Sequence, residues 1–152
     1  MRRLALVGAA LALAAAGTAQ AAATPAQVVR AWSKALNRND NAAAAKLFAH
    51  NAVVIQPGLD VRLGTTAIAR AFNNSLPCAG RIVVITVHGA QATATFVLGE
   101  RPKHRCDAPG AKAAAVFTVR HGKIVRWQQV AVPSSPTARL TTRRLPLPER
   151  PS

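Results

Sequence analysis

"KAAAVFTVRHGKIVRWQQVAV" (112–132) consists of two runs rich in β-branched and aromatic residues, split by Arg120-His121-Gly122. Runs of this length with alternating side chains read as strands, and a three-residue loop with Gly at its left-handed position joins strands as a hairpin. Such a loop pairs Val119 with Lys123, Phe117 with Val125 and Ala115 with Trp127. Ala115, Phe117, Val125 and Trp127 then share one face of a sheet, and that face is apolar. Something must cover it.

The cover lies upstream. "ATPAQVVRAWSKALNR" opens with a Thr24-x-x-Gln27 capping box and Pro25 at the first helical position. Val28, Ala31, Trp32, Ala35 and Leu36 follow the spacing of one buried helical face, which predicts a helix over 25–37. "NDNAAAAKLFAHN" predicts a shorter helix capped by Asn39 or Asp40, with Ala44, Leu47 and Phe48 inward. "AVVIQP" reads as a strand stopped by Pro57-Gly58, and "DVRL" pairs back on it. A third helix starts near Thr65, with Ile68, Ala71 and Phe72 on one side. "RIVVITV" and "ATATFVL" flank the turn "HGAQ" as another hairpin. The order predicts an α+β domain, with three N-terminal helices packed on one face of an antiparallel sheet.

Composition places this domain. Met1-Arg2-Arg3, the apolar run from Leu4 to Ala16 and small-x-small sites after Ala21 or Ala23 have the layout of a secretory signal peptide. The run is shorter than the roughly 20 residues of a membrane span. The chain is therefore expected to be exported, periplasmic or extracellular, with a signal peptide over 1–23, a domain over 24–132 and a tail over 133–152. Five Pro and four Arg without an aromatic residue make that tail a predicted disordered segment.

Charge narrows the partners. The chain carries 20 Lys and Arg against 5 Asp and Glu, a net charge of +15. Anionic partners follow, including weak association with anionic envelope surfaces. The bases are scattered and no aromatic residues interleave with them, so no specific nucleic-acid site is expected.

The segment "ERPKHRCDAPG" (100–110) gathers acids, bases, a histidine and a cysteine. A hairpin turning at "HGAQ" sets Cys78 near Arg101, with Cys106 five residues further into the same loop. Two cysteines so placed in an exported domain are expected to form a disulfide. The pinned loop could still rim a site, with Arg101, Lys103, His104 and Arg105 lending positive charge. His104-x-Cys106-Asp107 lacks the second ligand pair of a tetrahedral site, so no metal is expected.

The first helix, "AKLFAHNAVVIQPG", "LGTTAIARAF" and "FTVRHGKIVRW" together resemble the SnoaL-like branch of the nuclear transport factor 2-like superfamily, over roughly 26–132. The resemblance implies a cone, a curved sheet wrapped round the helices with an apolar pocket inside, and a homodimer. It also implies where chemistry would stand. Ketosteroid isomerases of this superfamily place a general-base Asp just before the Pro of the first strand, where this chain has Gln56. Their Tyr on the first helix matches Trp32, and the chain contains no Tyr. Their second acid falls at about Ala115. None of the three roles survives, so steroid isomerase chemistry is not expected.

The five acids offer no pair placed for acid–base work. The expectation is an exported association or small-molecule-binding domain, noncatalytic and without a cofactor. Its apolar ligand would meet Trp32, Phe48, Gln56, Phe72, Phe117 and Trp127, with the Gln56 amide and the two indole N–H groups as polar contacts. Aromatic residues at such spacing ordinarily fill a core, so a filled cone and a hollow one both stay open. Two other readings remain: a lyase, isomerase or cyclase with an unrecognised site, using His88 or His104 as base, and a basic envelope protein in which the fold is only a carrier.

Overall fold

The computed structural model describes residues 22–134. The expected signal peptide and the Pro/Arg-rich tail fall almost wholly outside them.

Helix α1 (Pro25–Asn37) begins at the capping box: Gln27 N–H donates to Thr24 Oγ1 (3.3 Å) and Thr24 N–H to Gln27 Oε1 (2.8 Å). Asn39, with φ of 60°, turns the chain into α2 (Asn41–Lys46), whose first turn Asp40 caps through Ala43 N–H (2.9 Å). The second helix is shorter than expected, and Phe48 opens a strand instead of closing a helix. Strand β1 runs Phe48–Gln56 and turns at Gly58 (φ 76°) into β2 (Leu59–Leu63). Thr65 caps α3 (Thr66–Ser75) through Ile68 N–H.

The predicted face of α3 is corrected. Ile68 is 44% exposed and Ala71 is exposed, while Ala69, Phe72 and Asn73 are buried. Hydrophobic spacing favoured Ile68 because a polar Asn73 does not announce itself as an inward residue. Asn73 is inward because it has partners there: it accepts from Trp32 Nε1–H (2.8 Å) and donates to Ala69 O (2.7 Å).

Four strands complete the sheet: β3 (Ala79–His88), β4 (Gln91–Gly99), β5 (Lys112–Arg120) and β6 (Lys123–Val130). Their spatial order is β2-β1-β6-β5-β4-β3, antiparallel except where β1 lies parallel to β6. The sheet is open and curved, with register shifts in β3, β6 and β1 that bend it round the helices. Helix α1 crosses β3, β4 and β5, and α2 packs on α3. The architecture is the α+β cone.

The deciding hairpin differs in detail from the predicted pairing. Its loop has two residues, His121 (φ 49°) and Gly122 (φ 71°), so Arg120 pairs with Lys123. Two consecutive positive φ values give the turn whose twist matches its strands. A bulge at Val125 then restores the frame, setting Phe117 opposite Trp127 and Ala115 opposite Gln129. Ile124 is fully buried in place of the half-buried Val125.

Candidate functional site

All six aromatic residues of the chain join one cluster under the sheet. Phe117, with no exposed surface, lies at its centre, 5.2 Å from Trp32 between ring centroids and 6.3 Å from Trp127. Phe48 and Phe72 meet edge to face at 5.9 Å, and Phe72 meets Trp127 at 5.5 Å. Phe96 from β4 packs on Trp32 at 6.3 Å. Edge-to-face contact sets the positive rim of one ring against the negative face of the next.

A cavity of about 250 Å³ opens beside this cluster. Of the residues expected at a site, Trp32, Gln56 and Trp127 line it. Phe48, Phe72 and Phe117 do not; they fill the core next to it. Phe96, Leu36, Leu98 and the alanines 113, 114 and 115 supply most of the remaining apolar wall. Gly80 lets the wall close in from β3. A Cβ there would stand 3.0 Å from the Phe96 ring, and Ser33 Oγ–H (2.8 Å) and Asn37 Nδ2–H (3.1 Å) from α1 both donate to Gly80 O.

The polar groups of the wall are few. Gln56 ends β1 half-buried, and its amide donates to Oε1 of the exposed Gln129 on β6 (3.3 Å). The pair sits at the open edge of the cavity. Trp32 Nε1–H, expected to await a ligand, is already committed to Asn73. Trp127 is 6% exposed, and its buried indole N–H has no acceptor among the described residues. No Lys, Arg or His lines the cavity.

One lining residue lies in the segment 100–110, where sequence reasoning assigned no acid to the site. Cys78 and Cys106 form a disulfide with Cα atoms 4.4 Å apart. The bond draws the loop after β4 against the start of β3, and the next residue, Asp107, comes to the rim. Its Oδ1 lies 3.2 Å from Cys78 Sγ. Glu100 accepts from Cys106 N–H (2.9 Å), which gives this acid an internal structural role. The grouping of Cys78, Cys106 and Asp107 offers no metal set, because both sulfurs are spent on each other.

Arg101 is corrected most. It does not lend charge to a rim but is 3% exposed. Its Nη1 donates to Asn73 O (3.0 Å) and Leu76 O (2.8 Å), and its Nη2 to Asn39 Oδ1 (2.6 Å) and Asn41 Oδ1 (2.7 Å). All four acceptors are neutral. Burial lowers its pKa from the ordinary arginine value, since the charged form has lost hydration. The guanidinium ties the disulfide loop to α2, to the end of α3 and to the turn between α1 and α2.

Chemically, the cavity can hold an apolar body and contact a few polar atoms. Among the described residues it presents no histidine base and no pair of acids, and its one hydroxyl, that of Ser33, is bonded to Gly80 O.

The SnoaL-like domain family matches residues 29–127, and the chain belongs to that family. No curated protein sequence matches it. Solved structures share the nuclear transport factor 2-like fold at low identity. A nuclear transport factor 2-like protein of unknown function from Cytophaga hutchinsonii is 13% identical, with TM-score 0.59 over 70% of this chain and 88% of that one. A provisionally named polyketide cyclase from Sinorhizobium meliloti is 21% identical, with TM-score 0.56 over 68% of this chain and 93% of that one. A protein of ketosteroid isomerase-like fold from Catenulispora acidiphila, in complex with trimethylamine, is 19% identical, with TM-score 0.56 over 72% and 87%.

Proposed function

We propose that this SnoaL-like protein is an exported, noncatalytic domain that holds a small, mostly apolar molecule in the cavity beside Trp32 and Trp127. Export rests on the basic, apolar and small-residue layout of 1–23, and on cysteines that pair in an oxidising compartment. The observation that carries the binding reading is the cavity itself. Its volume of about 250 Å³ lies near the lower limit of ligand sites, and its wall is aromatic and aliphatic with a few polar atoms at one edge. Gln56 stands where related enzymes place their base, and an amide cannot accept a proton at neutral pH. Turnover is therefore not expected.

Fluorotoluene followed by fluorine NMR tests the reading. Its resonance should broaden saturably with the parent protein. Ala115→Leu, which extends a side chain into the cavity from a 2% exposed position, should abolish the effect while the protein stays folded. Absence of saturable broadening, or broadening unchanged in the variant, refutes it.

A further inference from the structure

The cavity wall and the rest of the molecule carry opposite charge. The chain has a net charge of +15, yet among the described residues the only ionisable side chain on the cavity wall is the exposed Asp107. An anionic guest would meet that carboxylate with no base on the wall to offset it. A neutral guest would leave the charge unused. A cationic guest finds two attractive partners.

The first is the carboxylate. The second is the set of rings. Trp32, Phe96 and Trp127 all line the cavity, with centroids 6.3 Å apart for Trp32 and Phe96 and 6.4 Å apart for Trp32 and Trp127. An ion within about 6 Å of such a ring is drawn to its negative face, and tryptophan is the strongest such partner. Asp107 is also held in advance of binding. The Cys78–Cys106 bond, the Glu100–Cys106 hydrogen bond and the buried Arg101 fix the loop that carries it, so little ordering remains for a ligand to impose.

We infer that the ligand is a small organic cation, an alkylammonium compound whose apolar body packs between Trp32, Phe96 and Trp127 while its charge faces Asp107. This deepens the binding proposal and rests on it.

The chain's two tryptophans both line the cavity, so intrinsic fluorescence reads occupancy directly. Three probes of one shape class separate the possibilities: benzyltrimethylammonium, its neutral carbon isostere neopentylbenzene, and phenylacetate. The cation should bind about tenfold more tightly than the isostere, the scale expected when a desolvated cation–ring contact adds to a rim ion pair. Asp107→Asn should weaken the cation about fivefold and leave the isostere unchanged, so that isostere binding also reports an intact cavity. Asp60→Asn removes an exposed acid off the cavity wall and should change neither. Equal binding of cation and isostere overturns this inference and leaves the apolar pocket standing. So does tighter binding of phenylacetate, or a uniform loss of all three in Asp107→Asn. If no probe saturates, the pocket reading itself falls and this one falls with it.

Discussion

At one end of the aromatic cluster Phe48 meets Phe72 edge to face and Phe72 meets Trp127; at the other, Trp32 and Phe96 face Gly80 and three successive alanines. The two ends share one sheet and one kind of side chain. They differ in what stands opposite. A ring facing a ring fills the space, whereas a ring facing Gly80, Ala113, Ala114 and Ala115 leaves a volume that no neighbour can reach. The comparison teaches that the cavity is set by small residues rather than by large ones. A list of aromatic residues alone does not locate it.

Damage at the centre of the cluster, where ring faces ring, should cost the most stability. Phe117→Ala removes a fully buried ring that touches Trp32, Phe96 and Trp127, and should destabilise by about 4 kcal/mol. The denaturation midpoint measures it. A loss below about 1 kcal/mol would mean that the two ends are equally loose, and the contrast would dissolve.

The next effect belongs to the loop that borders the open end. That loop is held by the Cys78–Cys106 bond and by polar bonds. Arg101→Met takes a donor from four oxygens, on Asn39, Asn41, Asn73 and Leu76, of which Asn39 Oδ1 still accepts from Asn41 Nδ2–H, but it also removes a buried charge with no carboxylate partner among the described residues. The two effects oppose each other, and a net loss of about 2 kcal/mol is expected. A variant as stable as the parent would show that burial of the charge costs as much as its bonds return.

How much of this was legible in the sequence follows the same division. Apolar periodicity located the long elements but not every inward residue: Ala31 on α1 and Ile68 and Ala71 on α3 are exposed. The capping box and the Val28–Trp32–Leu36 face gave α1 its observed limits, and two hairpins of alternating residues gave the sheet its long strands. The short-range errors came from polar residues acting as internal partners. Asn73 is buried because it accepts from Trp32 on α1, and Arg101 because it finds four acceptors among the helices and their turns, and no local pattern reveals partners 25 to 62 residues away. The bulge at Val125 was likewise hidden, since a two-residue turn plus a bulge and a three-residue loop use the same "RHG". Phe96 was within reach. The turn after His88 sets Ala92, Ala94 and Phe96 on one face by simple alternation, and all three are buried. Asp107 was not, because its place at the rim depends on the disulfide and on the curvature of two strands together.

The smallest expected effect tests the boundary between the two regions, at Gln56. This side chain is half-buried and already bonded to the exposed Gln129, so it belongs to the cavity edge and not to its floor. A carboxylate introduced by Gln56→Asp would keep some solvent and could accept a hydrogen bond from the Gln129 amide. Partial burial disfavours the charged form, so the new carboxyl should titrate above the usual aspartate range, by less than a fully enclosed acid would. The sign of the linkage follows. With the folded pKa above the unfolded one, the variant matches its parent in stability below the unfolded pKa and falls behind as pH rises through the folded value. At neutral pH the deficit should be about 1 kcal/mol, roughly one pKa unit. Denaturant midpoints of parent and variant across pH 3–8, an interval spanning the ordinary carboxylate range near 4, measure it. A deficit of several kcal/mol would place Gln56 inside the closed core. No deficit at any pH would place it wholly in solvent, and the edge of the cavity would then have to be drawn elsewhere.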